Sequence, residues 1–305
     1  VEAREWVAED MLALTLRCNG NAHNWQAGQH VQLYLAQDGI RLSRSYSLTA
    51  VHGDGRIQLA IKRQVDGRLS NQLLDHLPVG QVLELGQASG NLCWPTNSNG
   101  VLLLAAGSGI TPLLGLLRQA LAQGFAAPVT LLHYVRQRSQ RSFSRELHSL
   151  MSQYPNLQVR WAISGEPAQA DELAGRFQPA HLHDMPGSSL LVCGPYGFVA
   201  SVREQWGGEL QAEAFSLPVS DALASATLLQ LQFARSQLAV FGDSATNLLQ
   251  QAEAHGCRQG ICTACTCTLL SGTVRDLRNG QLHSEPGQPI RICVSVPQGD
   301  VVVDL

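Results

Sequence analysis

The chain has 305 residues, of which 45% are hydrophobic and 15% are charged, and its formal net charge is −3. This length predicts two or three domains, and the composition is that of a globular chain rather than a disordered one. The lack of a basic surplus argues against nucleic acid as a partner. Without an apolar run of about 20 residues or a signal-peptide pattern, we expect no transmembrane segment and a cytoplasmic location.

The first third of the chain is predicted to form a small antiparallel barrel. Short runs of alternating apolar residues are separated by glycine turns, which is typical of antiparallel strands. These runs fall at 11–17, 30–35, 42–49, 56–63 and 81–85. We place this barrel domain at 1–96.

From residue 101 the pattern changes to buried apolar strands that alternate with helices, which predicts a parallel sheet with crossover helices. The predicted strands cover 101–106, 129–135, 157–163 and 189–193, with helices from 112 and at 144–154. We place this α/β domain at 97–216. A weakly patterned stretch at 216–226 is interpreted as a linker, and a third domain follows at 227–305.

Four cysteines in the last domain form the most specific motif of the chain. Cys257, Cys262 and Cys265 make C-x4-C-x2-C, and Cys293 follows after 27 intervening residues. This is the spacing of plant-type [2Fe-2S] ligands. Gly260 suits the loop between the first two cysteines, because glycine tolerates unusual dihedral angles and a close backbone approach.

A structural zinc site and a set of disulfides are the alternatives for these cysteines. Zinc usually takes its ligands from two C-x2-C pairs, and disulfides do not suit a chain without a secretion signal. A Rieske centre would need two histidine ligands, and no C-x-H unit occurs. Three further cysteines, Cys18, Cys93 and Cys267, are interpreted as packing residues, with Cys267 on the strand after the motif.

Two glycine-containing turns follow strands of the α/β domain. The sequence G-S-G-I-T-P at 107–112 leaves one strand and opens a helix, and C-G-P-Y-G at 193–197 repeats this arrangement later. Glycines there let a pyrophosphate approach backbone N–H groups at a helix N-terminus, and proline suits the first helical turn. Ligands of such sheets bind at the carboxyl ends of the strands, so both turns predict a nucleotide site.

Two motifs lie in the barrel domain. R-S-Y-S at 44–47 falls within a predicted strand, whose alternation puts Arg44 and Tyr46 on one face. G-R-L-S-N at 67–71 leads into a predicted helix at 70–77. Ser70 is its predicted N-cap, which makes this helix start a second candidate anion site.

In this order, R-x-Y-S, G-x-x-S-N, G-x-G-x-x-P and C-G-P resemble the ferredoxin-NADP reductase superfamily over essentially the whole chain. With the C-terminal cysteines, the chain is similar to the reductase components that serve oxygenases, hydroxylases and desaturases. The resemblance implies an antiparallel β-barrel flavin domain, an α/β parallel-sheet nicotinamide-binding domain and a β-grasp ferredoxin domain. It favours FAD over FMN, because Ser70-Asn71 after Gly67 looks like the FAD-binding members.

The resemblance also implies a role for each matching residue. Arg44 would meet a flavin phosphate, Tyr46 would lie against the isoalloxazine, and Ser47 would approach the flavin N5 edge. Ser70 would help to hold the pyrophosphate, beside Gly67 and Asn71 of the same motif. The nicotinamide coenzyme would be flanked by Gly107, Gly109, Ile110, Thr111, Pro112, Cys193, Gly194 and Pro195. Tyr46, Ser47 and Cys193 are the candidate catalytic residues, Lys62 joins the cofactor-binding set, and Cys257, Cys262, Cys265 and Cys293 are the candidate metal ligands.

This pattern implies a relay in which a nicotinamide coenzyme donates hydride to the flavin and single electrons leave through the [2Fe-2S] cluster. The expected acceptor is an oxygenase, hydroxylase or desaturase protein. Two other functions stay open from the sequence. One is a direct flavin-based reductase of small molecules, and the other is a redox-sensing binding module.

The preferred coenzyme is predicted from the residues that follow the second strand of the α/β domain. Sites for NADH commonly carry a carboxylate there, whereas an arginine accommodates the 2′-phosphate of NADPH. The sequence R-Q-R-S-Q-R at 136–141 offers three arginines and no acid. We therefore favour NADPH over NADH, with Arg136 and Arg138 as contacts. The alternative interpretation is a solvated basic loop.

Overall fold

The computed structural model describes residues 1–20, 22, 24–37, 40–96, 98–182, 189–215, 227–252 and 265–305. Two compact units are present, Val1–Leu33 with Tyr46–Phe215 and Tyr34–Ser45 with Ser216–Leu305. Within the described ranges, no helix is both long enough and apolar enough to span a membrane. The predicted linker at 216–226 lies outside the described residues, as do Cys257 and Cys262.

The N-terminal third forms a six-stranded antiparallel sheet. Its strands are β1 (Ala3–Ala8), β2 (Met11–Arg17), β3 (His30–Gln37), β4 (Ile40–Val51), β5 (Arg56–Lys62) and β6 (Glu84–Leu85), in the order β1-β2-β5-β4-β3-β6. Strands β2 and β5 pair along their whole length, from Met11 opposite Lys62 to Arg17 opposite Arg56. Four predicted strands are confirmed, whereas the one predicted at 81–85 is only two residues long. Strand β1 escaped prediction because its side chains do not alternate cleanly between buried and exposed.

Helix α1 (Arg68–His76) begins earlier than predicted. Its N-cap is Gly67, which has an extended backbone, and Ser70 is buried in the first turn. The prediction of Ser70 as N-cap was therefore wrong. The first helical hydrogen bond already runs from the Asn71 N–H to the Gly67 carbonyl oxygen, and a Cβ on Gly67 would lie 2.3 Å from the Ser70 Oγ, so this position favours glycine.

The α/β region is a six-stranded sheet covered by helices. Its strands are β7 (Val101–Ala106), β8 (Val129–Val135), β9 (Leu157–Ile163), β10 (Leu173–Ala174), β11 (Ser189–Gly194) and β12 (Leu210–Ala214), in the order β10-β9-β8-β7-β11-β12. All neighbours pair in parallel. The helices are α2 (Ile110–Ala122), α3 (Ser144–Gln153) and α4 (Tyr196–Gln205), with 3-10 turns at Gly107–Gly109, Arg138–Gln140 and Pro179–Leu182. The predicted strands and helices of this region are confirmed.

The described C-terminal residues form two small sheets and a short helix. The strands are β13 (Leu228–Phe233), β14 (Leu238–Asp243), β15 (Thr266–Ser271), β16 (Val274–Asp276), β17 (Leu282–His283), β18 (Pro289–Arg291), β19 (Ser295–Pro297) and β20 (Val301–Val303), and the helix is α5 (Leu248–Gln251). The larger sheet has the order β14-β13-β20-β15-β18, with β13 and β20 parallel, and the smaller has the order β17-β16-β19. Alternate residues of β13 are buried in its core, which includes Leu231, Phe233 and Leu269. This mixed sheet agrees with the predicted β-grasp domain.

Gly115 sets the distance between the antiparallel sheet and helix α2. A Cβ at this position would lie 2.4 Å from the Leu48 carbonyl oxygen on β4. Contacts of that kind do not occur without a backbone shift, and strand β4 is held on its other side by β5. The glycine therefore lets the helix pack against the strand that carries the R-S-Y-S motif.

We expect Gly115→Ala to lower the free energy of unfolding by about 1–3 kcal/mol, because an added methyl group overpacks a buried contact. Gly197→Ala is the matched control, since Gly197 also lies in a helix but has open space around its Cβ position. That control should be neutral or stabilising by up to about 1 kcal/mol. All five tryptophans, at 6, 25, 94, 161 and 206, belong to the first unit, so urea unfolding followed by tryptophan fluorescence reports on it. Equal stabilities of the two variants would contradict the proposed close contact.

Candidate functional site

Strand β4 carries the first group of predicted flavin residues. Ser47 is buried, whereas Arg44 and Tyr46 are half-buried, and alternation along the strand separates Ser47 from the other two. The Arg44 Nη1 donates a hydrogen bond of 2.7 Å to the Ser43 carbonyl oxygen. The strand thus presents a cation and an aromatic ring on one face, as the motif predicted.

Helix α1 carries the second group. The Asn71 side chain donates from Nδ2 to the Gln64 carbonyl oxygen at 2.9 Å, and its Oδ1 accepts a 3.3 Å bond from the Ser70 hydroxyl. Gly67 lies between these partners, and the Asn71 N–H donates to its carbonyl oxygen. The three motif residues therefore form one hydrogen-bonded turn at the helix start, where backbone N–H groups suit an anion.

The two predicted nucleotide turns meet at the carboxyl edge of the parallel sheet. Strands β7 and β11 are direct neighbours, so Gly109 and Cys193 come together although 84 positions separate them. A Cβ on Gly109 would lie 1.9 Å from the Cys193 carbonyl oxygen, and a Cβ on Gly194 would lie 2.8 Å from the Ala106 Cβ. Gly107 has a φ of +54°, which favours glycine. This glycine-lined cradle fits a nucleotide that approaches the backbone closely.

Lys62 places a charge over this turn. Its ammonium would lie 3.5 Å from a Cβ on Gly107, and it forms a 3.2 Å ion pair with the Asp10 carboxylate. The same Asp10 oxygen accepts a 2.9 Å hydrogen bond from the Gln140 side chain. The single lysine of the chain is thereby held within reach of an anion bound to the turn.

His133 contacts the turn at Gly107–Gly109 from strand β8, and the sequence did not predict it. The side chain is fully buried on β8, and its Nε2 donates to the Gly107 carbonyl oxygen at 3.0 Å. Burial lowers the pKa of His133 to about 4, a shift that the Lys62 charge reinforces and the hydrogen bond opposes. The imidazole is therefore neutral at pH 7 and fixes the glycine carbonyl without adding charge. A histidine inside an apolar strand is the only signal that the sequence offered for it.

A second missed residue, Glu213, lies beside Cys193. The two are register partners on the parallel strands β11 and β12, and both are shielded from solvent. Burial raises the pKa of Glu213 to about 7, and burial together with the Glu213 charge raises the pKa of the Cys193 thiol. The thiol stays protonated at neutral pH, so it offers the site a neutral sulfur rather than a nucleophile. His30 completes the group, with its Nδ1 3.7 Å from the Glu213 Oε1.

The arginines after β8 lie in different surroundings. Arg136 is exposed, whereas Arg138 forms ion pairs with Glu166 at 3.1 Å and with the fully buried Glu172 at 2.7 Å. Arg141 also pairs with Glu172, at 3.3 Å. Both carboxylates belong to the segment after β9. The prediction from residues 136–141 considered only that stretch and therefore missed these ion pairs.

Two of the four predicted metal ligands lie within the described residues. The sulfur atoms of Cys265 and Cys293 are 3.0 Å apart, and both side chains are buried. The Ile292 N–H donates to the Cys265 carbonyl oxygen at 3.1 Å, which fixes the two segments side by side. Two soft sulfur donors that converge in a water-poor core fit an iron–sulfur centre. Among the described residues alone, no group of three or more metal-binding side chains forms.

Comparisons with known proteins agree with this arrangement of sites. Residues 1–94 match the oxidoreductase FAD-binding domain, residues 103–204 the oxidoreductase NAD-binding domain, and residues 237–298 the 2Fe-2S iron-sulfur cluster binding domain. An NADPH oxidoreductase of Mycobacterium tuberculosis is 32% identical, with 94% of this chain and 78% of that protein covered. The ferredoxin reductase component of 3-ketosteroid-9-alpha-monooxygenase from the same species is 31% identical, over 86% and 79%. The solved structure of phthalate dioxygenase reductase matches with a TM-score of 0.70 and 23% identity, over 100% of this chain and 96% of that one.

The chain belongs to the ferredoxin-NADP reductase superfamily, in the group whose members add a C-terminal [2Fe-2S] domain to the FAD- and NAD-binding domains. It is an oxidoreductase, and its cofactors are FAD, a nicotinamide coenzyme and the [2Fe-2S] cluster. The predicted layout of a flavin barrel, a parallel-sheet nicotinamide domain and a ferredoxin domain is confirmed.

The buried carboxyl of Glu213 predicts a pH-dependent stability. Its pKa is about 7 in the folded chain against an ordinary 4.5, so between these values the folded chain keeps a proton that the unfolded chain has lost. Glu213 should therefore add a slope by which the free energy of unfolding falls as the pH rises from about 5 to 7, by up to about 1.4 kcal/mol per unit, whereas the buried neutral His133 contributes the opposite slope up to its ordinary pKa of 6.5. Glu213→Gln should remove this slope, whereas Glu209→Gln, an exposed residue just before β12, should keep it. Parallel pH curves for wild type and Glu213→Gln in urea unfolding would refute the assignment.

Proposed function

We propose that the protein is the electron-transfer reductase of an oxygenase system, taking electrons from NADPH and delivering them singly to a partner oxygenase, with hydroxylases and desaturases as related acceptors. The observation that carries this proposal is the convergence of the Cys265 and Cys293 sulfurs in a chain that also holds the flavin and nicotinamide domains. When bound, FAD would supply both hydride exchange with the coenzyme and one-electron exchange with the cluster. The similarity to a monooxygenase reductase component supports this kind of partner.

In this proposal the barrel residues bind and orient the flavin. Arg44 and Tyr46 share one face of β4, where a guanidinium suits a phosphate and an aromatic ring suits a planar ligand. Ser47 lies buried on the opposite side of the strand, so its approach to the flavin N5 edge is proposed from the sequence motif alone. Ser70 and Asn71 present the start of α1 to the pyrophosphate. We assign these roles to the domain at 1–96.

The domain at 97–216 would orient the nicotinamide coenzyme. The turn at 107–112 offers backbone N–H groups, and Lys62 adds the charge that a pyrophosphate requires. Cys193 contributes a protonated sulfur at the edge of β11. Because the cofactors carry the electron chemistry, the protein needs no acid–base pair there; it supplies position and electrostatics. A cytoplasmic location remains a prediction from the sequence.

The ion pairs of Arg138 refine the proposed contact for the 2′-phosphate of NADPH. Arg138 is already held by two carboxylates, one of which is fully buried, so its charge is locally compensated. Arg136 is exposed at the carboxyl end of β8, where the ribose of a bound dinucleotide is expected. We therefore assign the phosphate contact mainly to Arg136.

Alanine variants of two neighbouring cysteines test the cluster assignment. The wild type should contain about one flavin, two iron and two acid-labile sulfide per chain. Cys265→Ala should lose the iron and sulfide but keep the flavin and NADPH-dependent ferricyanide reduction, since flavin alone serves that acceptor. Cys267→Ala is the matched control and should keep the cluster, because Cys267 is a buried thiol outside the motif whose pKa burial raises to about 11. Zinc without labile sulfide would overturn the assignment.

Steady-state kinetics with both coenzymes test the preference for NADPH. Arg136→Ala should lower kcat/KM for NADPH about tenfold or more and leave that for NADH nearly unchanged, since only the phosphate contact is lost. Arg138→Ala should affect both coenzymes alike, because it dismantles an ion-pair cluster. A wild-type preference for NADH, or equal effects of Arg136→Ala on both coenzymes, would contradict this proposal.

A further inference from the structure

Arg278 follows strand β16, which pairs with β19, the strand just after the predicted cluster ligand Cys293. Asp276 at the end of β16 is the register partner of Ser295 on β19, two residues after Cys293. The next N–H along the chain, that of Leu277, donates to the Val294 carbonyl oxygen at 2.8 Å. The backbone on which Arg278 stands is therefore tied to the segment that carries Cys293.

The guanidinium of Arg278 is held in a defined orientation. Its Nη2 and Nε donate to the two Asp276 carboxylate oxygens at 2.5 and 3.0 Å, and its own backbone N–H donates to the same carboxylate at 2.8 Å. The Asp276 side chain is 6% exposed and the Arg278 side chain 40%. Paired donors on a planar fork fix direction as well as distance. The charge of Arg278 is thus held at the border between core and solvent.

The two cluster cysteines act electrostatically on this guanidinium. The hydrogen bond to Asp276 raises the pKa of Arg278 most, and the negative charges of Asp276, Cys293 and Cys265 raise it further, against the effect of burial. Such interactions are reciprocal, so the Arg278 charge also acts at both sulfurs. Other charged groups near this core are Arg291 on β18, opposite Thr266, and Asp304, which acts on Cys267 and pairs with the exposed Arg235.

We infer that Arg278, positioned by Asp276, sets the reduction potential of the [2Fe-2S] centre. Each electron that enters the centre adds one negative charge, and a fixed guanidinium beside Cys265 and Cys293 stabilises that added charge, an effect that the paired Asp276 carboxylate partly offsets. The inference rests on the proposed assignment of those two cysteines as ligands. Arg278 would then help to determine how readily the flavin passes electrons to the cluster.

The test is an EPR-monitored redox titration of the purified holoprotein at pH 8. Arg278→Gln should shift the midpoint potential of the cluster to a more negative value. The expected shift is at least about 59 mV, which corresponds to a tenfold fall in the one-electron reduction equilibrium constant. Arg278→Lys keeps the charge and should retain most of the wild-type potential. Arg235→Gln is the charge-matched control, because it breaks a comparable ion pair to Asp304 on an exposed side chain, and it should leave the potential unchanged.

Several outcomes would overturn the inference. An unchanged potential in Arg278→Gln with full iron and sulfide would do so, as would equal shifts in Arg278→Gln and Arg235→Gln, which would indicate a net-charge effect only. If Arg278→Gln does not retain the cluster, Arg278→Met gives the second measurement, because it removes the charge and leaves Asp276 in place. It should also lower the potential, and no shift would refute the inference. A wild type without two iron and two sulfide would refute the ligand assignment itself, whereas flavin and ferricyanide activity test the reductase function separately.

Discussion

The absence of a side chain at Gly109 is the constraint on which the nucleotide region depends. Strands β7 and β11 are parallel neighbours, and the turn that leaves β7 lies against the end of β11. Only 1.9 Å separates the Gly109 Cβ position from the Cys193 carbonyl oxygen, which excludes every other residue type. This close approach aims the start of α2 along the carboxyl edge of the sheet. The positive φ of Gly107 completes the turn.

The groups packed around this turn share one electrostatic property, because burial keeps them neutral or paired. His133 and Cys193 lie in the core and hold uncharged forms at pH 7, and Glu213 titrates near neutrality. Lys62 carries a full charge but is paired with Asp10. At this turn, backbone dipoles and one tethered cation are therefore the groups that favour an anion. Such an arrangement costs little reorganisation when the ligand binds.

Fixed charges in a buried environment also matter in the C-terminal unit, where the cluster accepts electrons. A cluster that accepts electrons singly changes its charge by one unit at each transfer, and a buried environment magnifies the effect of any fixed charge nearby. Arg278, held in place by Asp276, supplies such a charge on a segment that is hydrogen-bonded to the residue after Cys293. Around the nucleotide turn burial keeps His133 and Cys193 neutral, whereas beside Cys293 an ion pair holds a charged guanidinium in place.

The family, the order of the domains and the cofactor motifs could all be predicted from the sequence. Each of these depends on short stretches of sequence, because ligand spacing, strand alternation and glycine turns involve residues that are close together in the chain. Tertiary structure alone decided the partners of Arg138, the placement of His133 under Gly107, and the pairing of Glu213 with His30. His30 and Glu213 are far apart in sequence and meet only because of how β3 and β12 are placed in the fold. Burial and electrostatic pairing join residues that are distant in the sequence, so no local sequence pattern predicted these contacts.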